Sequence, residues 1–221
     1  IENDPKALQN MDDDTDFYSV KDELRGKLFN WMVETQDLGL FDETEIVVRA
    51  AAYNGVSREV GIRCTKFERI LETADLARLG EEGQEELLKR LDDSDSAVRY
   101  WAAMGYLIRG KNGLRKGRAV LVAALEDKSP SVRIIAAEAL GRYGRNSEAK
   151  RAAKVLMQYA DPAKNGICLS MYALNALDVI GEHANPHRDA IAKMARIDPK
   201  ANSRMRNYAN RLIGRILSDS K

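Results

Sequence analysis

Twenty residues of this chain are written almost twice: LDDSDSAVRYWAAMGYLIRG begins at Leu91, and LEDKSPSVRIIAAEALGRYG begins at Leu125. The two align without a gap. Val98 matches Val132, Arg99 matches Arg133, and Ala102-Ala103 match Ala136-Ala137, each pair 34 residues apart. Self-similarity at a fixed period of a few tens of residues specifies a stacked-repeat architecture. Two weaker copies follow. CLSMYALNALDVIG sets Leu169, Ala173, Ala176, Leu177 and Gly181 against Val132, Ala136, Ala139, Leu140 and Gly144, and SRMRNYANRLIGRIL sets Met205-Arg206 and Ala209 against Val132-Arg133 and Ala136. The chain therefore reads as four units, the last two degenerate.

Each unit reads as a pair of helices. In the second, GRAVLVAALEDK is the first helix and SPSVRIIAAEALGRYG the second. Ser129 supplies the N-cap, and Pro130 occupies the first helical position, where its missing N–H is no loss. Gly144 is the stop. Asp161-Pro162, Asn185-Pro186 and Asp198-Pro199 punctuate the other units. Val132, Ile135, Ala136, Ala139 and Leu140 follow helical spacing, and the alanines let neighbouring helices approach closely. One pair alone cannot bury its apolar face, so the pairs must stack. No segment sustains the alternation of a strand.

The L-x-D-x-x-x-x-V-R-x-x-A-A pattern resembles the short HEAT-like helical repeats, over roughly residues 66–218. The tetratricopeptide repeat has a similar period, but its W-x-x-L-G-x-x-Y pattern is absent. The expected fold is all-α: an α-solenoid of about four short helix pairs at residues 66–221. A linker at 49–65 and an N-terminal segment at 1–48 precede it. That segment combines an acidic loop with one amphipathic helix, capped near Ser19, whose apolar stripe is Val20, Leu24, Leu28 and Trp31.

Charge divides the chain in the same place. Residues 1–48 carry 13 acidic and 4 basic side chains, and the rest carry 21 acidic and 31 basic, so a net of −9 faces a net of +10. Such a split implies two parts with different roles. No apolar run approaches the roughly 20 residues of a membrane span. Cys64 and Cys168 are the only cysteines, and they read as free thiols.

The ENDP turn, the NMDDD loop, the helix ELRGKLFNWMVETQDLGL and the loop after it resemble the extreme C-terminus of a type I sulfatase of the arylsulfatase and heparan N-sulfatase kind. FERILETADLARLG followed by AVRYWAAMGYLIRG is similar to the HEAT-like extension that some bacterial sulfatases carry beyond that point. The chain, which opens at IENDP, then reads as a piece of a longer protein. The resemblance implies a parent enzyme that uses formylglycine and calcium. It also implies packing against that parent's catalytic domain, a sulfated glycan as ligand, and a periplasmic or secreted location. The family's chemistry is not in this chain. Its prolines are Pro5, Pro130, Pro162, Pro186 and Pro199, and none has Cys or Ser two positions earlier, as the C/S-x-P-x-R nucleophile motif requires. Asp12, Asp14 and Asp16 do not make a calcium loop, because Phe17 stands where the sharp turn wants Gly. His183 and His187 flank Pro186 and so do not share a helical face as a metal pair. No catalytic residue, metal ligand or cofactor site is assigned.

The remaining candidates lie in the turns. Within-pair turns are acidic, with Asp92, Asp93, Asp95, Glu126, Asp127, Asp161 and Asp198. Between-pair turns are basic, with Arg109, Lys111, Arg115, Lys116, Arg118, Arg142, Arg145, Lys150, Arg151, His187 and Arg188. Helix dipoles account for part of this pattern. The bases expected near helix N-termini make an anion-attracting edge, a weak candidate for sulfated polysaccharide. Glu81, Glu82, Glu85 and Glu86 break the pattern in the first pair. Arg99 and Arg133 recur at one register, read as a ladder that pairs with Asp93 and Asp127, the other reading being a ligand row. Trp101 and Tyr106 read as packing residues rather than a sugar platform. Three functions remain: a non-catalytic extension of a sulfatase, which the resemblance favours; a free-standing protein-interaction scaffold; and a solenoid that tracks nucleic-acid phosphates, the least favoured. Fold alone does not separate them.

Overall fold

The structure, a computed structural model, describes residues 6, 8, 10, 11 and 14–218. The Asn3-Asp4-Pro5 turn and Asp12 lie outside the described residues. The chain divides into two compact units, the first ending at Asp37 and the second running from Leu38. Every regular element among the described residues is helical, and no helix among them is long and apolar enough to cross a membrane.

The first unit holds α1, Tyr18–Thr35. Asp14 opens a short 3-10 turn, Thr15–Phe17, by accepting the Asp16 amide at 3.0 Å, and this turn leads straight into α1. The helix therefore starts before Ser19, which caps nothing. Gln36 closes it in the left-handed region at φ 50°, its N–H turned back to the Met32 and Val33 carbonyls. The apolar stripe expected on α1 is solvent-exposed: Val20, Leu24, Leu28 and Trp31 are 49%, 60%, 51% and 53% accessible. The more sheltered side carries Arg25, Phe29, Met32 and Val33, with the Arg25 guanidinium 5.1 Å from the Phe29 ring. Apolar residues thus occupy two faces of this helix rather than one stripe.

The second unit begins with a 3-10 turn, Leu38–Leu40, then α2 (Glu43–Ala50) and α3 (Arg58–Ile62), so the stretch read as linker carries regular structure. Next come α4 (Phe67–Arg78), α5 (Gln84–Arg90), α6 (Ser96–Ile108), α7 (Gly110–Ala124), α8 (Pro130–Tyr143) and α9 (Asn146–Tyr159). The short α10 (Pro162–Asn165) precedes α11 (Ile167–Val179), and α12 (Arg188–Ala192) and α13 (Tyr208–Ser218) complete the chain's helices. The packing makes two rows. Helices α4, α6, α8, α11 and α13 pack side by side in that order, while α5, α7, α9 and α12 back them as the first members of four pairs. This is an all-α solenoid, with α4 added at the head of the inner row.

The repeat residues are the core. Val98, Ala102, Ala103, Val132, Ala136, Ala137, Ala173, Ala176, Leu177 and Ala209 are all fully buried. Alanine at paired positions puts backbone close to backbone, and the larger Leu121, Leu140, Leu156 and Leu174 fill the spaces between rows. In the third and fourth units Leu169 and Met205, aligned with Val132, are only half-buried. Ile167 and Ser170 are buried instead of Leu169, which is how the degeneracy in sequence appears in packing.

One boundary differs from expectation for a stated reason. The first helix of the second pair was expected to start at Gly117, but α7 begins at Gly110. Gly113 and Gly117 are not breakers. They are the places where α7 meets Tyr106: a Cβ on Gly117 would lie 2.4 Å from the Tyr106 ring, and one on Gly113 would lie 2.6 Å from its carbonyl oxygen. The hydroxyl of Ser129 likewise makes no cap bond, although Pro130 does occupy the first turn.

Gly117→Ala should overpack this contact and cost about 1–3 kcal/mol, several degrees of thermal midpoint at this chain length. Gly214→Ala in α13, where nothing lies within 4 Å, should raise the midpoint slightly, since Ala exceeds Gly in helix propensity by about 1 kcal/mol. Ala136→Arg should prevent cooperative melting altogether, because a charge would be buried without a partner. Equal midpoints for the two glycine variants would remove the Tyr106 contact from the core.

Candidate functional site: turn ladder, strap and basic residues

The 34-residue period reappears as a hydrogen bond. Asp93, Asp127 and Asp161 are spaced 34 apart. Each closes its own turn by accepting the amide two residues on: Asp95 N at 2.9 Å, Ser129 N at 2.7 Å and Ala163 N at 3.0 Å. Asp198 does the same for Lys200 N at 2.8 Å. Such turns satisfy backbone that the start of the next helix would leave open. The carboxylates also accept from the preceding repeat. Lys66 reaches Asp93 at 2.8 Å and Arg69 binds its other oxygen. Arg99 holds Asp127 through two bonds of 2.8 Å while donating to the Asp93 carbonyl, also at 2.8 Å. Arg133 donates to the Asp127 carbonyl and, at 3.1 Å, to the Tyr159 hydroxyl rather than to Asp161. The repeated arginines are thus a structural ladder with a phenol in place of its third carboxylate. Burial alone would raise the Asp93 carboxyl. The Asp95 amide, Lys66 and Arg69 together outweigh it and hold the group well below the usual carboxylate range.

Residues 38–50 lie across the inner row as a strap that sequence reasoning missed. Asp42 caps α2 through the Thr44 and Glu45 amides, at 2.9 and 3.1 Å, and accepts from the Ser131 hydroxyl in α8 at 3.0 Å. Glu45 accepts from Ser96 in α6, and Arg49 bridges Glu45 at 2.7 Å and Asp95 at 2.6 Å. The Trp101 indole donates to the Leu40 carbonyl at 2.8 Å, which makes it a packing residue. Ser96, Ser131 and Cys168, which faces Glu43, all lie in the first turns of α6, α8 and α11. An acidic segment therefore covers three helix N-termini, the arrangement that helix dipoles favour. Burial pushes the Asp42 carboxyl up despite these bonds.

The basic residues singled out from the turns are mostly engaged. Arg109 ties the end of α4 to the array, donating to the carbonyls of Gly80 (3.0 Å), Ala77 (3.1 Å), Gly105 (2.7 Å), Leu76 (2.9 Å) and Leu79. Arg188 does the same for α13 through the Ile216 carbonyl at 2.6 Å and that of Leu217. Arg118 pairs with Glu148, Arg142 with Glu138 at 3.0 Å, and Arg151 with Glu126 at 3.0 Å. Lys116 lies 3.7 Å from Glu81. Lys111, Arg115, Arg145 and Lys150 are exposed and have no side-chain ion pair among the described residues. Because α7 begins at Gly110 and α9 at Asn146, Arg115, Lys116, Arg118, Lys150 and Arg151 stand beyond the first turn and do not make helix N-terminal anion sites. Among the described residues no group of His, Cys, Asp or Glu is placed to hold a metal ion. Cys64 and Cys168 are free and half-buried, and burial raises both thiols.

Two outcomes follow. A depressed carboxyl contributes stability in full above its unfolded pKa, about 3.9, and loses it as pH falls through the folded value. Asp93→Asn should therefore melt well below wild type at about pH 6, with a gap that starts to narrow only below about pH 4 and closes as pH nears the depressed folded value; a constant gap down to low pH would remove Asp93 from the ladder. On immobilised heparin the chain should elute early, below about 0.15 M salt. Lys111→Gln, Arg115→Gln and Lys150→Gln together should abolish that retention, whereas Arg109→Gln should lower the melting midpoint.

A family model described as HEAT repeats matches residues 84–168, from α5 into the start of α11. No curated protein matches the chain.

Proposed function

We propose that this chain is a protein-interaction scaffold built on a helical-repeat array. The observation that carries the reading is the coincidence of the HEAT-repeat match at residues 84–168 with the stretch where consecutive helix pairs stack on one continuous core. Stacked repeats of this kind present long, regular surfaces whose residues vary without disturbing the core. The placement of the basic residues supports a scaffold over a polyanion binder. Arg109 and Arg188 are spent on helix ends, and Arg118, Arg142 and Arg151 are paired within the chain.

A second reading keeps the resemblance to sulfatase C-termini: an appendage that packs on a catalytic domain and assists with a sulfated glycan. The observation in its favour is the exposed row Val20, Leu24, Leu28 and Trp31 on α1, an apolar surface with room for a partner. A C/S-x-P-x-R motif encoded upstream in the same reading frame would decide for it.

The scaffold reading is tested by affinity purification from an extract of the source organism, followed by size-exclusion chromatography. At least one protein should co-elute in simple stoichiometry at about 0.15 M salt, where screening already weakens exposed charge contacts. It should be lost with Ala136→Arg. If no protein co-elutes while heparin retention survives that salt, the polyanion reading takes its place.

A further inference from the structure

A cavity of about 560 Å³ lies where α5 and α7, the first members of the first two pairs, meet over α6. Glu81, Glu82 and Glu85 stand around it, and Leu88 and the Tyr106 ring form its apolar wall. Glu86, the fourth glutamate of this run, pairs with Arg90 at 2.9 Å, but Glu82 and Glu85 have no ion pair among the described residues. Gln84 lines the same cavity. It is 6% exposed, and its amide nitrogen has no hydrogen-bond partner. A buried amide left open costs on the order of 1–3 kcal/mol, so the site holds a polar group in want of an acceptor. Its backbone is already used: the Tyr106 hydroxyl donates to the Gln84 carbonyl at 3.2 Å. At the mouth, the ammonium of Lys116 lies 3.7 Å from Glu81, a cation of the chain itself against the acidic rim.

Resting on the scaffold reading and naming its partner, we infer that this cavity binds a basic peptide segment, one with two neighbouring Lys or Arg side chains. Among the described residues no group of His, Cys, Asp or Glu is placed to hold a metal ion, so the cation that these carboxylates favour is one carried on side chains. Long basic side chains lay their methylene stems on apolar surface while the charge stays in water, and Leu88, 43% exposed, with Tyr106 beneath it supplies that surface. A peptide carbonyl would supply the acceptor that the Gln84 amide lacks once the side chain, whose nitrogen is covered in the free chain, turns toward the cavity. The incoming base displaces Lys116 from Glu81, which replaces one ion pair by another.

The test uses the whole chain and a library of acetylated, amidated 12-residue peptides with a fixed Arg-Lys centre and randomised flanks, read by fluorescence polarisation. Saturable binding is expected from some members, weakening about tenfold or more when Glu81→Gln, Glu82→Gln and Glu85→Gln are combined, as for charge pairs at an interface. Glu182→Gln with Asp189→Asn, elsewhere on the outer row, should change nothing. Gln84→Leu should weaken binding without altering its salt dependence, and Lys116→Gln should strengthen it. The three glutamates are exposed, so an unchanged melting midpoint shows that the triple variant is folded. Absence of binding across the library, binding indifferent to the triple variant, or spermidine binding as tightly as the best peptide would each overturn the proposal. A protein co-purified by wild type and equally by the triple variant would overturn it while leaving the scaffold reading standing.

Discussion

The bond on which the array depends is the bidentate grip of Arg99 on Asp127. One carboxylate oxygen of Asp127 also fixes the turn that launches α8, and the same arginine holds the preceding turn by its carbonyl. A single pair of side chains thus ties the turns that launch α6 and α8 at a fixed offset. With that offset fixed, Val98 and Val132 fall at equivalent depths, and the alanines of α6 and α8 come close enough to exclude larger residues. The hydrophobic effect supplies the stabilisation of such a core, but it is indifferent to register. The directional bonds of the turns supply the register.

Much of this was legible because it is periodic. Arg99, Arg133, Asp93 and Asp127, Gly144 and the paired alanines repeat in sequence, and each falls where a stacked helix pair requires it. Non-periodic features were not legible. Arg49 meets Asp95 across 46 positions and Asp42 meets Ser131 across 89, and no local pattern announces contacts of that length. Glycine is ambiguous for a related reason. Gly144 ends a helix while Gly117 lies inside one, and only the Tyr106 ring opposite distinguishes them. The basic turns show the same limit for charge. A base in sequence gives no sign of what stands across from it, and for Arg109 that is a set of backbone carbonyls rather than an external anion.

The charge split between the ends of the chain has a partial explanation in the strap. Asp42, Glu43 and Glu45 come from the acidic first 48 residues and meet the N-termini of α6, α8 and α11, where partial positive charge collects. The acid-rich break at Glu81, Glu82 and Glu85 stands at the N-terminus of α5, where the same partial positive charge collects, and Glu81 also faces Lys116. It was visible in the sequence as a departure from the pattern, and the structure adds the open amide of Gln84 beside it.

The strap also changes the competition for the inner row. A segment joined to the array by a short stretch of the same chain is present at an effective concentration of order millimolar, whatever the concentration of the protein. A free helix seeking the N-termini of α6, α8 and α11 meets a rival that never diffuses away. It would succeed only by binding far more tightly than a first encounter usually allows. For a dilute partner the easier surface would be the row of α5, α7 and α9, since the strap's side-chain bonds go to α6 and α8.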